Sequence, residues 1–198
     1  MVKVKICGLT CLEDALAAAW LGADALGFVF TQSPRRIAPE TAAAIIAQLP
    51  PLVLNVGVFA GEPGEWIEEV RRSCRLDAIQ LHGPIEEDEL ALLGGRIIKA
   101  FNLAGSDPPS AWAYPRATLL LDSGPGGSGQ TFDWTKAVAL ARQRPIILAG
   151  GLNPENVVEA IKTVRPYGVD VSSGVESRPG RKDHDKLSMF IRLAKAAA

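Results

Sequence analysis

Cys7 stands where the sequence predicts a change from strand to helix. The stretch from Lys3 to Thr10 is K-V-K-I-C-G-L-T, in which a short β-rich run ends in Cys7 and Thr10 is predicted to open a helix. In a barrel of alternating strands and helices, such a junction lies at the mouth of the active site. A thiol there can act as a base if positive potential nearby helps it to lose its proton. The alternative is a small buried hydrophobic residue, which is what free cysteines usually are.

Two aspartates end later predicted strands. Asp122 closes A-T-L-L-L-D, and Asp170 lies in G-V-D-V near the end of the chain. A general acid must hold its proton near neutral pH, so burial would have to raise the Asp122 pKa. An acid of this kind and a Cys7 base suit proton transfers at the carbons of a sugar. The alternative for Asp122 is a loop-capping carboxylate, and Asp170 either binds sugar hydroxyls or braces its loop.

Glycines follow the last two predicted strands. Gly150 and Gly151 come after the seventh strand, and Gly174 follows Ser172 and Ser173 after the eighth. Glycine leaves its backbone N–H uncovered, and such groups form anion sites together with a helix N-terminus. In barrels the loops after these two strands commonly bind phosphate. The residues therefore predict a phosphate site, with plain tight turns as the alternative.

Arg35, Arg36 and His82 are further candidates for the site. The two arginines lie in the loop after the second predicted strand, where a guanidinium can bind a substrate carboxylate through two hydrogen bonds. A solvated loop arginine is the alternative. His82 follows the fourth predicted strand and is either a site residue or a structural one. The glycine-rich loop 123–131 is either a mobile lid or a flexible connection.

Eight strand-then-helix units would position these residues. The predicted strands are Lys3–Cys7, Asp24–Phe30, Val53–Phe59, Asp77–Leu81, Arg96–Phe101, Ala117–Asp122, Pro145–Ala149 and Gly168–Val171. At about 25 residues per unit, the chain is near the lower size limit of the closed eight-stranded α/β barrel. Prolines at 108, 109 and 115 make the helix after the fifth strand weak or missing. We therefore predict an α/β fold, a single (βα)8 TIM barrel domain over residues 1–198. An open doubly wound sheet ranks lower, because no GxGxxG follows the first strand.

Local signals predict where several helices begin. Thr10 and Glu13 have the spacing of a capping box. Asn153 and Pro154 are predicted to open the seventh helix as N-cap and first-turn proline. Asp183 is predicted to start the last helix, whose apolar residues at helical spacing form one buried stripe. The stripe consists of Leu187, Phe190, Ile191 and Ala194.

Composition excludes several classes of partner. The formal net charge is -1, from 21 basic and 22 acidic residues, so we expect no nucleic-acid partner and no membrane partner. The three cysteines form no disulfide framework and indicate a reduced, cytoplasmic setting. With only two histidines and no CxxC or HExxH spacing, no metal is expected.

Several strings of this sequence occur together, and in this order, in one known family. They are K-I-C-G-L-T at 5–10, G-F-V-F at 27–30 with S-P-R at 33–35, G-V-F at 57–59, Q-L-H-G at 80–83, Asp122 with G-G-S-G-Q-T-F-D-W at 126–134, L-A-G-G-L-N-P-E-N-V at 148–157, V-D-V-S-S-G-V-E at 169–176 and P-G-R-K-D at 179–183. By these strings, the chain resembles the phosphoribosylanthranilate isomerases of tryptophan biosynthesis over nearly its whole length.

The resemblance implies a (βα)8 barrel that carries out an Amadori rearrangement without cofactor or metal. The substrate would be N-(5′-phosphoribosyl)anthranilate and the product 1-(2-carboxyphenylamino)-1-deoxyribulose 5-phosphate. Asp122 would be the general acid that opens the sugar ring, and Cys7 the general base that removes the C2′ proton. Arg35 would hold the anthranilate carboxylate, with Arg36 as the alternative. Asp170 would bind sugar hydroxyls.

The same resemblance assigns the phosphate to backbone amides. These belong to Gly150, Gly151, Ser173 and Gly174, and Ser172 and His82 complete the expected set of substrate-binding residues. Cys11, four residues after Cys7, lies outside the family pattern and is expected to be a first-turn helix residue.

Three alternatives remain at this stage. The chain could be a related phosphosugar barrel, either a histidine-pathway isomerase or a pentose-phosphate epimerase. The first would carry an aspartate where Cys7 stands, and the second would need metal-binding histidines. It could also be a phosphate-binding barrel that has lost turnover, against which the presence of both Cys7 and Asp122 speaks. The expected assembly is a monomer or a homodimer.

Overall fold

Eight parallel strands close into a barrel within residues 1–103, 108–122 and 134–197, which are the residues that the computed structural model describes. Each strand pairs with the next one along the chain, and the eighth pairs with the first. The strands are β1 (Lys3–Cys7), β2 (Ala25–Val29), β3 (Leu54–Phe59), β4 (Ala78–Leu81), β5 (Arg96–Asn102), β6 (Ala117–Asp122), β7 (Ile146–Leu148) and β8 (Gly168–Val171). The predicted fold is confirmed, and each strand lies within about a residue of its predicted position.

Seven helices cover the outside of the barrel in the same described residues. They are α1 (Leu12–Trp20), α2 (Pro39–Ile46), α3 (Gly64–Ser73), α4 (Glu87–Leu92), α5 (Thr135–Ala141), α6 (Val157–Val164) and α7 (His184–Ala196). Strands buried on both faces read as nearly continuous apolar runs, because the helices cover one face and the barrel interior the other.

Alternation along each strand decides which side chains enter the barrel. On β1, Val4 and Ile6 belong to the large core between strands and helices. Cys7 instead packs against Val29 and Val58, which are inward-facing residues of the neighbouring strands. Side chains two residues apart on a strand share a face, so Lys5 also points into the barrel.

The connection between β5 and β6 contains no helix among its described residues, 108–116. This agrees with the weak or missing helix that the prolines predict. The glycine-rich loop 123–131, predicted to be a lid or a flexible connection, lies outside the described residues.

One of the three predicted helix starts is wrong. Thr10 makes no capping box, since α1 begins two residues later, at Leu12, with Cys11 as its N-cap residue; the Thr10 hydroxyl donates to the Gly180 carbonyl. Asn153 caps its helix as predicted, because its Oδ1 accepts from the Glu155 and Asn156 amides and its carbonyl accepts from the Val157 amide, although the regular part of α6 begins at Val157. Asp183 is the N-cap of α7, and its carboxylate accepts from two backbone amides of the first turn.

A short hairpin after β8 was not predicted. A 3-10 turn (Ser173–Val175) leads into β9 (Glu176–Arg178), which pairs antiparallel with β10 (Arg181–Lys182). The Pro-Gly dipeptide at 179–180 is a turn signal that was available in the sequence and was overlooked. The hairpin folds back over the C-terminal end of β1, because the Lys182 amide donates to the Asp14 carboxylate of α1.

Candidate active site

Cys7 lies at the C-terminal end of β1, on the inner face of the barrel. Its side chain packs with Val29 and Val58, and the residue is 8% exposed. Burial raises the pKa of the Cys7 thiol, while the nearby ammonium groups of Lys5 and Lys182 act in the opposite direction. The thiol is therefore buried at the barrel mouth, among positive charges.

A buried ion pair lies beside this thiol. Lys5 Nζ donates to Asp170 Oδ1 over 2.9 Å, and the two side chains are only 4% and 10% exposed. Burial disfavours the ammonium form of Lys5, but Asp170 and Cys7 outweigh that effect and raise the Lys5 pKa above its ordinary value. Asp170 therefore holds a barrel lysine, a contact that neither of its predicted roles included.

Asp122 closes β6 at the same end of the barrel and is half-buried. A small cavity opens between the ends of β6, β7 and β8. Its lining residues are Asp122, Ala149, Gly150, Gly151, Leu152, Asp170, Val171, Ser172 and Ser173. The cavity thus joins the predicted acid to the predicted phosphate-binding residues. Asp170 connects this cavity to Cys7, since it also binds Lys5.

After β7 and β8, glycine is required either because the backbone has a positive φ or because there is no room for a Cβ atom. Gly150 and Gly151 have φ of 85° and 62°, a region that favours glycine. A Cβ on Gly174 would lie 1.9 Å from the Leu152 carbonyl oxygen. Within the described part of the chain, the amides of Gly150 and Gly151 donate to no backbone carbonyl, and the buried Ser172 hydroxyl has no partner. Such groups suit an anion.

We expect Gly174→Ala to weaken phosphate binding about tenfold, a loss of about 1.4 kcal/mol. The added Cβ collides with the Leu152 carbonyl and displaces the amides beside it. The measurement is an NMR titration of backbone amide signals with inorganic phosphate. Gly64→Ala is the control, because its Cβ would meet its nearest neighbour at an ordinary 3.7 Å. Equal phosphate affinities for Gly174→Ala and Gly64→Ala would contradict the predicted site.

Arg35 faces the site, whereas Arg36 is exposed. Arg35 donates through Nε and Nη2 to the two Glu176 oxygens, over 2.8 and 2.7 Å, and its side chain is 11% exposed. Lys182 Nζ binds the same Glu176 carboxylate at 3.0 Å and the Cys7 carbonyl at 2.6 Å. One edge of the Arg35 guanidinium is thus occupied, and within the described residues no hydrogen bond to Nη1 is found, so that side suits an anionic ligand.

His82 follows β4 and is held by Gln80, whose Nε2 lies 2.9 Å from His82 Nε2. Burial, and then the positive charge of Lys5, lowers the pKa of His82 to about 4. The ring is therefore neutral at pH 7. Which of the two nitrogens donates depends on the imidazole tautomer and on the orientation of the Gln80 amide. His82 offers an uncharged imidazole beside the barrel mouth.

Cys11 is separated from these groups by its place in the fold. It is the residue before α1, with extended backbone, and its thiol interacts with the Asp14 carboxylate. Burial raises the Cys11 pKa. Of the two neighbouring cysteines, only Cys7 packs on the inner face of the barrel.

Comparison with known families decides the relationship. The family model described as N-(5'phosphoribosyl)anthranilate (PRA) isomerase matches residues 4–193. The chain belongs to this family. The resemblance drawn from the sequence strings is thereby confirmed. One relative, the N-(5'-phosphoribosyl)anthranilate isomerase of Trichlorobacter lovleyi, is 53% identical over 206 residues, which cover 100% of both chains.

Solved structures of this isomerase family share the fold. The phosphoribosyl anthranilate isomerase of Thermotoga maritima is 47% identical and superposes with a TM-score of 0.93, covering 99% of this chain and 100% of its own. A second isomerase structure holds reduced 1-(o-carboxyphenylamino)-1-deoxyribulose 5-phosphate. It is 46% identical with a TM-score of 0.90 and the same coverage.

Sequence reasoning missed four polar residues of the isomerase site. They are Lys5, Gln80, Glu176 and Lys182. Lys5 and Gln80 each stand two residues before a predicted site residue on the same strand, so their shared face was a usable signal. Glu176 and Lys182 come into the site only through the hairpin.

In residues 1–103, 108–122 and 134–197, no group of three or more His, Cys, Asp or Glu residues is arranged to hold a metal ion. None of the helices found there has the length and apolar character needed to span a membrane.

Proposed function

We propose that the chain converts N-(5′-phosphoribosyl)anthranilate to 1-(2-carboxyphenylamino)-1-deoxyribulose 5-phosphate in tryptophan biosynthesis, with Asp122 as general acid and Cys7 as general base. One observation carries the proposal. In a member of this family, a buried thiol, a carboxyl group and a cavity lined by two glycines all lie at one end of one barrel. We treat residues 1–198 as a single domain of this kind.

The acid acts first in the proposed sequence. Asp122 gives a proton to the furanose ring oxygen, the bond from that oxygen to C1′ breaks, and the anthranilate nitrogen forms a Schiff base with C1′. Asp122 is suited to this step because it lies in the same cavity as Asp170 and the amides of Gly150 and Gly151. Those groups would place the sugar hydroxyls and the phosphate on either side of the acid.

The base acts second. Cys7, as a thiolate, takes the proton from C2′, and the resulting enolamine tautomerises to the ketone. Ring opening leaves Asp122 as a carboxylate and proton removal leaves Cys7 as a thiol, so one proton passes from Cys7 to Asp122, through solvent, before the next cycle. Burial raises the pKa of the Cys7 thiol, so the thiolate fraction still grows above neutral pH, while the ring-opening step needs Asp122 in its protonated form. We therefore expect a bell-shaped dependence of kcat/KM on pH, which reports both groups.

The remaining contacts fix the substrate at both ends. The phosphate would be held by the amides of Gly150, Gly151, Ser173 and Gly174 and by the Ser172 hydroxyl. At the other end, Arg35 would bind the anthranilate carboxylate through its Nη1 side. His82, which is neutral, would form a hydrogen bond with the sugar without adding charge.

The direct test is turnover of freshly prepared phosphoribosylanthranilate by the purified protein, followed by loss of anthranilate-type fluorescence. The imidazole-carboxamide phosphosugar of the histidine pathway is the comparison substrate, because it differs only in the group on the sugar nitrogen. Fluorescence loss no faster than that without protein would contradict the proposal. If the protein turned over the comparison substrate alone, its activity would instead be that of the related histidine-pathway isomerase.

Arg35→Ala is expected to raise KM about tenfold or more, because it removes a charge-assisted bond to the substrate carboxylate. We expect a smaller change in kcat, since Arg35 moves no proton. Steady-state kinetics measure both constants. Arg36→Ala is the matched control, as Arg36 is exposed. A normal KM in Arg35→Ala together with a raised KM in Arg36→Ala would transfer the role to Arg36.

We place the enzyme in the cytoplasm, which its three unpaired cysteines support, and we propose that it works as a monomer or a homodimer. A related solved structure, 44% identical, is described as monomers generated from the dimeric isomerase of Thermotoga maritima. Every proposed catalytic group comes from this chain, so the site needs no second subunit to be complete.

A further inference from the structure

Lys5 is a buried charged residue for which the proposed mechanism has no use. It lies on the inner face of β1, two residues before Cys7, and its side chain is 4% exposed. Taking an ammonium group out of water costs free energy, even when a carboxylate pairs with it. An apolar side chain would fill a barrel interior with no such cost. The placement of a cation directly behind the thiol therefore calls for a chemical explanation.

Gly27 provides the space that the ammonium and the thiol share. It is the register partner of Cys7 on β2. A Cβ on Gly27 would lie 2.8 Å from Cys7 Sγ and 3.1 Å from Lys5 Nζ. The two groups therefore border the same small volume, so the positive charge of the Lys5 ammonium lies close to the Cys7 sulfur.

We propose that Lys5 is a positioning residue that stabilises Cys7 as the thiolate, the form able to accept the substrate proton. The inference deepens the proposed function and rests on it. Lys5 does not touch the substrate. It acts on the sulfur by its positive charge, and Asp170 holds the ammonium through a hydrogen bond.

Lys182 is the second ammonium group near Cys7, but its hydrogen bonds are already used. Its three N–H donors go to the Cys7 carbonyl, the Ser172 carbonyl and Glu176 Oε1, over 2.6, 3.2 and 3.0 Å. Lys182 therefore contributes positive potential and holds backbone, without a donor for the sulfur. Lys5 has one carboxylate partner in the described structure, so it retains donors for Cys7.

The other charged groups around Cys7 do not replace Lys5. Arg35 directs Nε and Nη2 to Glu176, which neutralises much of its charge. Asp170 opposes thiolate formation by its negative charge. His82 also faces this ion pair and is neutral at pH 7, because burial and Lys5 lower its pKa to about 4.

The test measures the ionisation of Cys7 directly, without substrate. Protein labelled with 13C at the cysteine Cβ gives signals for Cys7, Cys11 and Cys74, and Cys7→Ala assigns the first. The Cys7 pKa is read from its signal as a function of pH. Because this measurement involves no turnover, it decides the role of Lys5 even if the proposed function fails.

Three variants should change the Cys7 pKa in different directions, according to the charge that each one removes. A packing defect would not produce this pattern. Lys5→Met should raise the pKa by about one pH unit or more, the usual effect of losing an opposite charge at this range. Asp170→Asn should lower it, because a negative neighbour is lost. Lys5→Met/Asp170→Asn removes both charges, leaves no unpaired carboxylate to compromise folding, and should lie between wild type and Lys5→Met.

Lys3→Met is the matched control. Lys3 is on the same strand and the same face, but its side chain is 53% exposed and pairs with Asp24, so the Cys7 pKa should stay as in wild type. In active variants, the acid limb of kcat/KM against pH should move with the NMR value. An unchanged Cys7 pKa in Lys5→Met, an increase in Asp170→Asn, or an equal increase in Lys3→Met would overturn the proposal.

Discussion

Replacing Cys7 with alanine is expected to lower kcat by about 10²-fold to 10⁴-fold, the usual contribution of a positioned general base. No other described thiol can take its place, because Cys11 lies before α1 and Cys74 follows α3. Loss of the base should leave substrate binding nearly intact, since the phosphate and carboxylate contacts come from other residues. The expected signature is therefore a large fall in kcat with KM changed by less than about threefold.

The control for Cys7→Ala is Cys11→Ala, which removes a thiol four residues away that lies outside the barrel interior. It should keep normal kcat. Cys7→Ala leaves a small cavity beside Val29 and Val58, which lowers the free energy of unfolding by about 1 kcal/mol. Melting temperatures of both variants check that this loss of stability does not cause the fall in kcat. Near-normal kcat in Cys7→Ala, or a comparable loss in Cys11→Ala, would remove Cys7 from the mechanism.

The barrel itself was predictable because its signals are local. Each strand is a short apolar run bounded by turn residues, and the eight runs recur at a spacing that suits one strand and one helix. The ends of these runs place Cys7, His82 and Asp122 at one end of the barrel with no knowledge of distances. In a closed parallel barrel, all strand ends of one kind lie together.

Long-range polar contacts were not predictable in the same way. Arg35 and Glu176 are separated by 141 residues, and nothing in either local sequence indicates that they pair. The capping-box prediction failed for a related reason. A capping box would need the Thr10 hydroxyl to accept from the Glu13 amide, whereas the hydroxyl is directed to a competing partner, the carbonyl of Gly180, 170 residues away, to which it donates. Local spacing alone does not include such a competitor.

The charges around Cys7 show most clearly what the sequence alone does not predict. Composition gives the number of lysines, and alternation puts Lys5 inside the barrel, but neither predicts that Asp170 holds it. That pairing depends on the register between β1 and β8, in which Lys5 and Asp170 are direct partners. The environment of the thiol therefore depends on barrel closure, which pairs the first strand with the last.

Asp122→Asn is expected to lower kcat by about 10²-fold or more, because the amide keeps the size and place of the carboxyl but has no acidic proton to give. KM should change little, as the phosphate and carboxylate of the substrate contact other groups. Asp88→Asn is the control, since Asp88 is an exposed residue of α4 and should have no effect on kcat.

A kinetic isotope effect distinguishes the acid step from the base step in this variant. With substrate deuterated at C2′, a reaction limited by proton removal at Cys7 shows a primary isotope effect on kcat. If Asp122 opens the ring, its loss makes ring opening rate-limiting, so the isotope effect in Asp122→Asn should fall toward one. Cys7→Ser, which slows the other step, should show an isotope effect at least as large as that of wild type. A full isotope effect in Asp122→Asn would mean that Asp122 serves proton removal at C2′, and the two residues would then act on one step instead of two.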